Sequence, residues 1–257
     1  MRLRGLAPLL TFDGALATLT LRRPRLANRL DQADLQTLRA QLDQVNQTDA
    51  VRVLLLAAEG RHFCSGFDIG GGLGTPGVDA GALFEQLADA WEAARPVTVA
   101  RIQGGVYGGA TDLALACDFR LGTAACEMFV PAAKLGLHFY RGGLERYVTR
   151  LGLSLAKRVL LAGETLDATA MHDCGFLDHL LPDAAALDLA TAALTAQLLA
   201  MAPLALLGMK RNLNAIARGN LNVADLQADL AQSAASADLA EGVAAWQAKR
   251  APQFVGR

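Results

Sequence analysis

Apolar positions recur with two different periods along this chain, and the periods change places in a regular order. Residues 8–12 and 15–21 are β-rich and flank Asp13-Gly14, a dipeptide that favours a tight hairpin turn. Asp31 is suited to capping a helix in which Leu35, Leu38, Leu42 and Val45 share one face. Strand and helix patterns then alternate: a strand over 51–58, a helix over 80–94, a strand over Val97–Ile102 and a helix over Gly109–Ala116. Short strands follow at 119–121 and 128–130. That rhythm predicts an α/β fold on a mostly parallel sheet with crossover helices. From about Gly142 the chain turns helical, with helices over 144–151 and 155–162 and a β-like stretch at 176–181. Long Ala/Leu helices fill the rest from Asp183, so the chain reads as an α/β core over 1–182 and a helical region over 183–257.

Composition narrows the classes of partner. A hydrophobic share of 53% with 19% charged residues can bury a large core and a subunit interface as well. The net charge of −1 gives no reason to expect nucleic-acid binding, and no uncharged apolar run approaches the ~20 residues of a membrane span. Met1-Arg-Leu-Arg is basic, but the apolar run after it is too short for a signal peptide. Cys64, Cys117, Cys126 and Cys174 form no C-x-x-C pair, and their scatter suits a reducing, cytoplasmic setting. His62, His138, His172 and His179 lack metal-site spacing, so no metal is expected. Gly72-Leu-Gly74-Thr-Pro76-Gly77 satisfies G-x-G-x-x-G, but it lies well past the strand end and contains a proline. It reads as a loop and not as a dinucleotide site.

Chemistry concentrates where two strands end in glycine. Gly104-Gly-Val-Tyr-Gly108-Gly109-Ala-Thr-Asp112 follows the run Val97–Ile102, and Gly60-Arg-His-Phe63-Cys64-Ser65-Gly66-Phe67-Asp68-Ile69 follows the run 51–58. Glycine lets backbone come close to a ligand, and first-turn N–H groups of a helix lack intrahelical partners. Such donors suit an oxygen that develops negative charge. Together the loops resemble those of the crotonase, or enoyl-CoA hydratase/isomerase, superfamily. Phe63, Gly66, Asp68 and Ile69 match one signature, and Gly104, Gly108, Gly109, Asp112, Leu113, Cys117 and Asp118 match the other. Leu21-Arg-Arg-Pro-Arg25-Leu-Ala-Asn28 and Lys249-Arg-Ala-Pro-Gln-Phe254-Val-Gly256 resemble the family's opening and closing segments.

The resemblance implies a crotonase-like ββα spiral core with C-terminal helices that assemble a homotrimer or a dimer of trimers. It implies an acyl-CoA substrate with no separate cofactor, CoA being part of the substrate. The N–H groups of Phe67 and Gly109 would bind the thioester oxygen and stabilise an enolate. Arg25 and the loop Phe63, Cys64, Ser65, Gly66, Asp68 and Ile69 would meet the CoA, with Gly108 beside the thioester. Lys249 and Phe254 would close over the nucleotide, from a neighbouring subunit if the assembly is trimeric. Family hydratases carry one Glu at the position of Asp112 and another at the position of Ala132, so here one of two acid–base groups is missing. Asp112 could be the remaining acid–base group or a first-turn carboxylate serving the helix dipole. Tyr140, in the loop His138-Phe-Tyr-Arg141, could replace the absent acid or line an acyl pocket together with His138. Double-bond isomerisation or a related enolate reaction such as decarboxylation fits this set better than hydration. A non-catalytic CoA-binding protein is the alternative.

Overall fold

The hairpin at Asp13-Gly14 starts the main sheet. In the computed structural model, which describes residues 5–68 and 80–257, β1 (Leu9–Asp13) and β2 (Leu16–Leu21) pair antiparallel, with Gly14 at φ +56° between them. Ile69 and the Gly72–Gly77 motif lie outside the described residues. The chain continues through β3 (Val53–Ala58), β4 (Val97–Ile102), β5 (Val106–Tyr107), β6 (Phe119–Thr123), β7 (Glu127–Phe129), β8 (Leu166–Asp167) and β9 (His179–Leu181). Six strands make the main sheet in the order β1-β2-β3-β4-β6-β9, and every pairing after the hairpin is parallel. Both faces of a parallel sheet are covered, which is why 51–58 and Val97–Ile102 read as continuous apolar runs.

Helices cover the two faces unequally. α1 (Gln32–Gln47) starts on a reciprocal capping box between Asp31 and Asp34. With α2 (Ala80–Glu92) and α3 (Gly109–Ala116) it buries Leu38, Leu42, Leu87, Trp91 and Leu113 in the larger core. α4 (Arg141–Leu151), α5 (Leu153–Leu160) and α6 (Ala168–Asp173) extend that side. α7 (Ala184–Leu199), the first helix of the C-terminal region, lays Leu187 and Leu198 on Val53, Val97, Val99 and Leu121 and closes the other face. α8 (Pro203–Ala217), α9 (Val223–Ala234) and α10 (Ala237–Gln247) follow. Among the described residues, no single helix is long and apolar enough to cross a membrane.

Two departures from the sequence reading bear on the site. α4 begins at Arg141 and not at 144, because Gly142 and Gly143 act as close-packing residues instead of helix breakers. A Cβ on Gly142 would meet Asp89 Oδ1 of α2 at 2.3 Å. The second departure is a small sheet, β5-β7-β8, of which the sequence reading had only β7, as the strand at 128–130. β5 and β8 have two residues each, too few to show a period of two.

Candidate active site

The small sheet explains how the glycine loops are held. β5 sits between Gly105 and Gly108, so the chain from β4 makes one short ladder before α3 begins. Phe63 N–H donates to Gly105 O at 3.0 Å, Tyr107 N–H to Cys64 O at 2.9 Å, and Gly108 N–H to Phe129 O at 3.0 Å. On its other side the 63–68 loop is tied to the opening segment. Ser65 N–H donates to Ala27 O, Leu30 N–H to Gly66 O and Asp68 N–H to Leu30 O, all within 2.8–2.9 Å. Asn28 is the hinge of that attachment. Its amide donates to Glu59 O and His62 O at 2.8 and 2.9 Å, and its Oδ1 accepts from Arg23 N–H at 2.8 Å.

Gly66 is where the two loops meet. It adopts φ +81°, and a Cβ there would stand 2.8 Å from Tyr107 O and 3.2 Å from Gly109 N. Phe67 therefore follows a residue pressed against the start of α3. Among the described residues, neither Phe67 N–H nor Gly109 N–H donates to a protein acceptor. Both residues line one cavity of about 280 Å³, which Ser65, Gly108, Ala132, Leu135, Leu137, His138 and Tyr140 also line. The sequence candidates from both loops and from the 132–140 segment are thus brought together.

Asp112, which the sequence left open between an acid–base group and a first-turn carboxylate, is 0% exposed and is not among the described residues lining the cavity. Its oxygens are taken by Arg146, whose Nε donates to Oδ1 at 2.7 Å and Nη2 to Oδ2 at 2.6 Å. Tyr140 Oη donates to the same Oδ2 at 2.7 Å. The two expected acid–base groups are therefore partners of each other. Burial, then the charge of Asp112, pushes Tyr140 well above its ordinary value, so its hydroxyl stays protonated. To act as an acid Tyr140 would have to leave its phenolate in contact with the Asp112 carboxylate, which argues against that role.

Arg146 is not among the sequence candidates, yet in the structure its side chain is fully enclosed. Burial opposes its charge, but hydrogen bonds and charge from Asp112, Asp89 and Glu92 outweigh this and hold the guanidinium above its ordinary value. Its Nη1 reaches Asp89 Oδ1 at 2.6 Å and Glu92 Oε2 at 3.3 Å, and Arg150 and Arg218 also bind Glu92. Glu145 points into the same network, held below its ordinary value by Arg141, with Arg218 adding to the effect. No local sequence signal marks such a clamp, since Asp112 and Arg146 lie on different helices.

The remaining candidates divide. His138 lines the cavity, and its Nδ1 is 2.7 Å from Phe139 O. A carbonyl only accepts, so Nδ1 carries the proton in the neutral ring and Nε2 keeps its lone pair. Phe63 and Cys64 are fully buried. They offer only backbone to a ligand, the Cys64 thiol being pushed up to about 12 by burial. Asp68 pairs with Arg29 at 3.3 Å. Arg25 stands exposed on the 3-10 turn Pro24–Leu26. Lys249 and Phe254 are not brought to the cavity within one chain. Phe254 lines a separate cavity among α8, α9 and α10, against Gly242 and Trp246.

Comparison with known proteins agrees with this frame. A family model described as enoyl-CoA hydratase/isomerase matches residues 11–257. The enoyl-CoA isomerase/hydratase fer4 of Mycosarcoma maydis is 32% identical over 256 residues, covering 93% of this chain and 92% of that protein. The 2,3-dehydroadipyl-CoA hydratase of Escherichia coli (strain K12) is 30% identical over 249 residues, covering 93% and 94%. A crystal structure of an enoyl-CoA hydratase/carnithine racemase from Magnetospirillum magneticum matches with a TM-score of 0.89 at 27% identity, over 98% of this chain and 96% of the other.

Proposed function

The chain belongs to the enoyl-CoA hydratase/isomerase family, and from that premise we propose that it moves a double bond, or runs a related enolate reaction, on an acyl-CoA thioester. The observation that carries this reading is a cavity with the Phe67 and Gly109 loops on one wall and no carboxylate among its described lining residues. Two backbone donors stabilise a thioester enolate by about 2.7–4 kcal/mol each when they converge on its oxygen. Hydration asks for two positioned groups, one to activate water and one to protonate Cα. Here Ala132 stands at one family position and Asp112, at the other, is locked to Arg146. Isomerisation needs only one group, which takes a proton from Cα and returns it at Cγ. His138 has the free Nε2 for that transfer. Asp112 and Arg146 then act as positioning residues for the Tyr140 wall.

The CoA would lie along Arg25 and the backbone of residues 63–68. Lys249 and Phe254 would reach it from a neighbouring subunit of a homotrimer or dimer of trimers. Apolar side chains left exposed on the last three helices support that assembly: Leu213, Ile216, Leu230 and Trp246 are 57–86% exposed in the single chain. A monomer by light scattering at micromolar concentration removes it.

The deciding experiment compares a 3-enoyl-CoA with crotonyl-CoA. Wild type should isomerise the first, and exchange its α-proton in D2O, far faster than it hydrates the second. His138→Gln should reduce isomerisation by ~10²–10⁴-fold, and Ala132→Glu should raise hydration by part of the same range. Rapid hydration by wild type that His138→Gln leaves intact would overturn the assignment. Binding of CoA esters with no proton exchange at all would leave a binding protein on this scaffold.

A further inference from the structure

Aromatic residues are scarce here, 5% of the chain, as nine Phe, three Tyr and two Trp. Six of them line the one cavity that holds the Phe67 and Gly109 loops: Phe67, Phe84, Tyr107, Phe129, Phe139 and Tyr140. Five of them form two banks. In the first, Phe84 lies against Gly109, where a Cβ would touch its ring at 3.0 Å, so this bank begins beside the thioester loop. Tyr140 stacks on Phe84 with centroids 6.4 Å apart and planes at 28°, and Phe139 stacks on Tyr140 at 4.8 Å and 21°. In the second bank Tyr107 and Phe129 pair at 4.8 Å. The polar ends of both tyrosines are occupied, Tyr107 Oη on Glu127 at 2.6 Å and Tyr140 Oη on Asp112 at 2.7 Å. What the cavity receives from them is ring surface.

The cavity's size and charge point the same way. An apolar cavity of about 150 Å³ accommodates benzene, so about 280 Å³ leaves room for a ring and a short linker. No lysine or arginine is among the described lining residues. A carboxylate at the far end of an acyl chain would therefore be desolvated without a cation to meet it.

Resting on the acyl-CoA reading above, we infer that the acyl group this site selects is uncharged and aromatic, an aryl-acyl thioester whose ring slots between the two banks. Near-parallel and tilted ring contacts favour a flat, polarisable group over an alkyl chain of equal carbon count.

Isothermal titration of the full-length protein with four thioesters tests this: acetyl-CoA, and the eight-carbon set phenylacetyl-, octanoyl- and suberoyl-CoA. Phenylacetyl-CoA should bind about tenfold more tightly than octanoyl-CoA, the size of one or two ring contacts. Suberoyl-CoA, with its terminal carboxylate, should be the weakest of the three. Phe139→Leu should narrow the phenylacetyl/octanoyl ratio to about threefold or less. Equal or tighter binding of octanoyl-CoA, or of suberoyl-CoA, overturns the inference and leaves the CoA-thioester reading standing. Failure of all four to bind removes that reading and the inference with it.

Discussion

Arg146→Met is expected to cost about 3–5 kcal/mol of stability, the range found when one partner of a buried ion pair is removed. The guanidinium and the Asp112 carboxylate are both 0% exposed and are joined by two hydrogen bonds of 2.7 and 2.6 Å. Methionine fills much of the volume but leaves Asp112 with Tyr140 as its one remaining side-chain donor among the described residues, and it also releases Asp89 and Glu92 from Nη1. A domain with about 5–15 kcal/mol in hand would lose a large part of it. Asp112→Asn should cost less, because Arg146 keeps Asp89 and Glu92. Removing both charges, as Arg146→Met with Asp112→Leu, should recover most of the loss, short of the ~1–3 kcal/mol for a Tyr140 hydroxyl left without its acceptor. Urea midpoints of the three variants measure this order. An Arg146→Met protein that unfolds at the wild-type midpoint would falsify the buried clamp.

That clamp also marks where sequence reading stops. Asp31, the Leu35–Leu38–Leu42–Val45 stripe and the Asp13-Gly14 turn carry signals within a few residues of themselves, and each element appears where those signals place it. The glycine loops were legible for the same reason, since a strand end, a glycine and a helix start are adjacent in the chain. Arg146 gives no such sign. On a helix beside Glu145 it has the spacing of any solvated pair, and only the packing of α3, α2 and α4 turns it inward onto Asp112, Asp89 and Glu92. The two readings of Asp112, acid–base group or first-turn carboxylate, stayed open in the sequence because its position in the motif says nothing of what stands opposite. His138 shows the converse. Its place beside Tyr140 as a pocket-lining candidate is legible in the sequence, but its tautomer depends on a carbonyl one residue away, which spacing alone cannot orient.

Gly66→Ala should reduce α-proton exchange by about 10²–10³-fold, the cost of losing one oxyanion donor. Two effects combine at this residue. Its φ of +81° lies in the region where a Cβ is strained, and the added methyl would stand 2.8 Å from Tyr107 O, a backbone atom held by its own short ladder. Tyr107 O cannot yield without disturbing β5 and the start of α3, so the loop must move instead, and Phe67 N–H would turn away from the enolate oxygen that we propose it binds with Gly109 N–H. Gly14 separates the two effects. It also has positive φ, +56°, but none of the described residues beyond its chain neighbours lies within 4 Å of its absent Cβ and it is not among those lining the cavity. Gly14→Ala should therefore carry only the ~1–2 kcal/mol of left-handed strain and exchange protons at the wild-type rate. The comparison is made with both variants folded, as judged by circular dichroism, and with the exchange of one acyl-CoA followed by mass spectrometry. If Gly66→Ala exchanges within threefold of Gly14→Ala, catalysis does not depend on the close approach of the two glycine loops, and the enolate oxygen must be bound elsewhere.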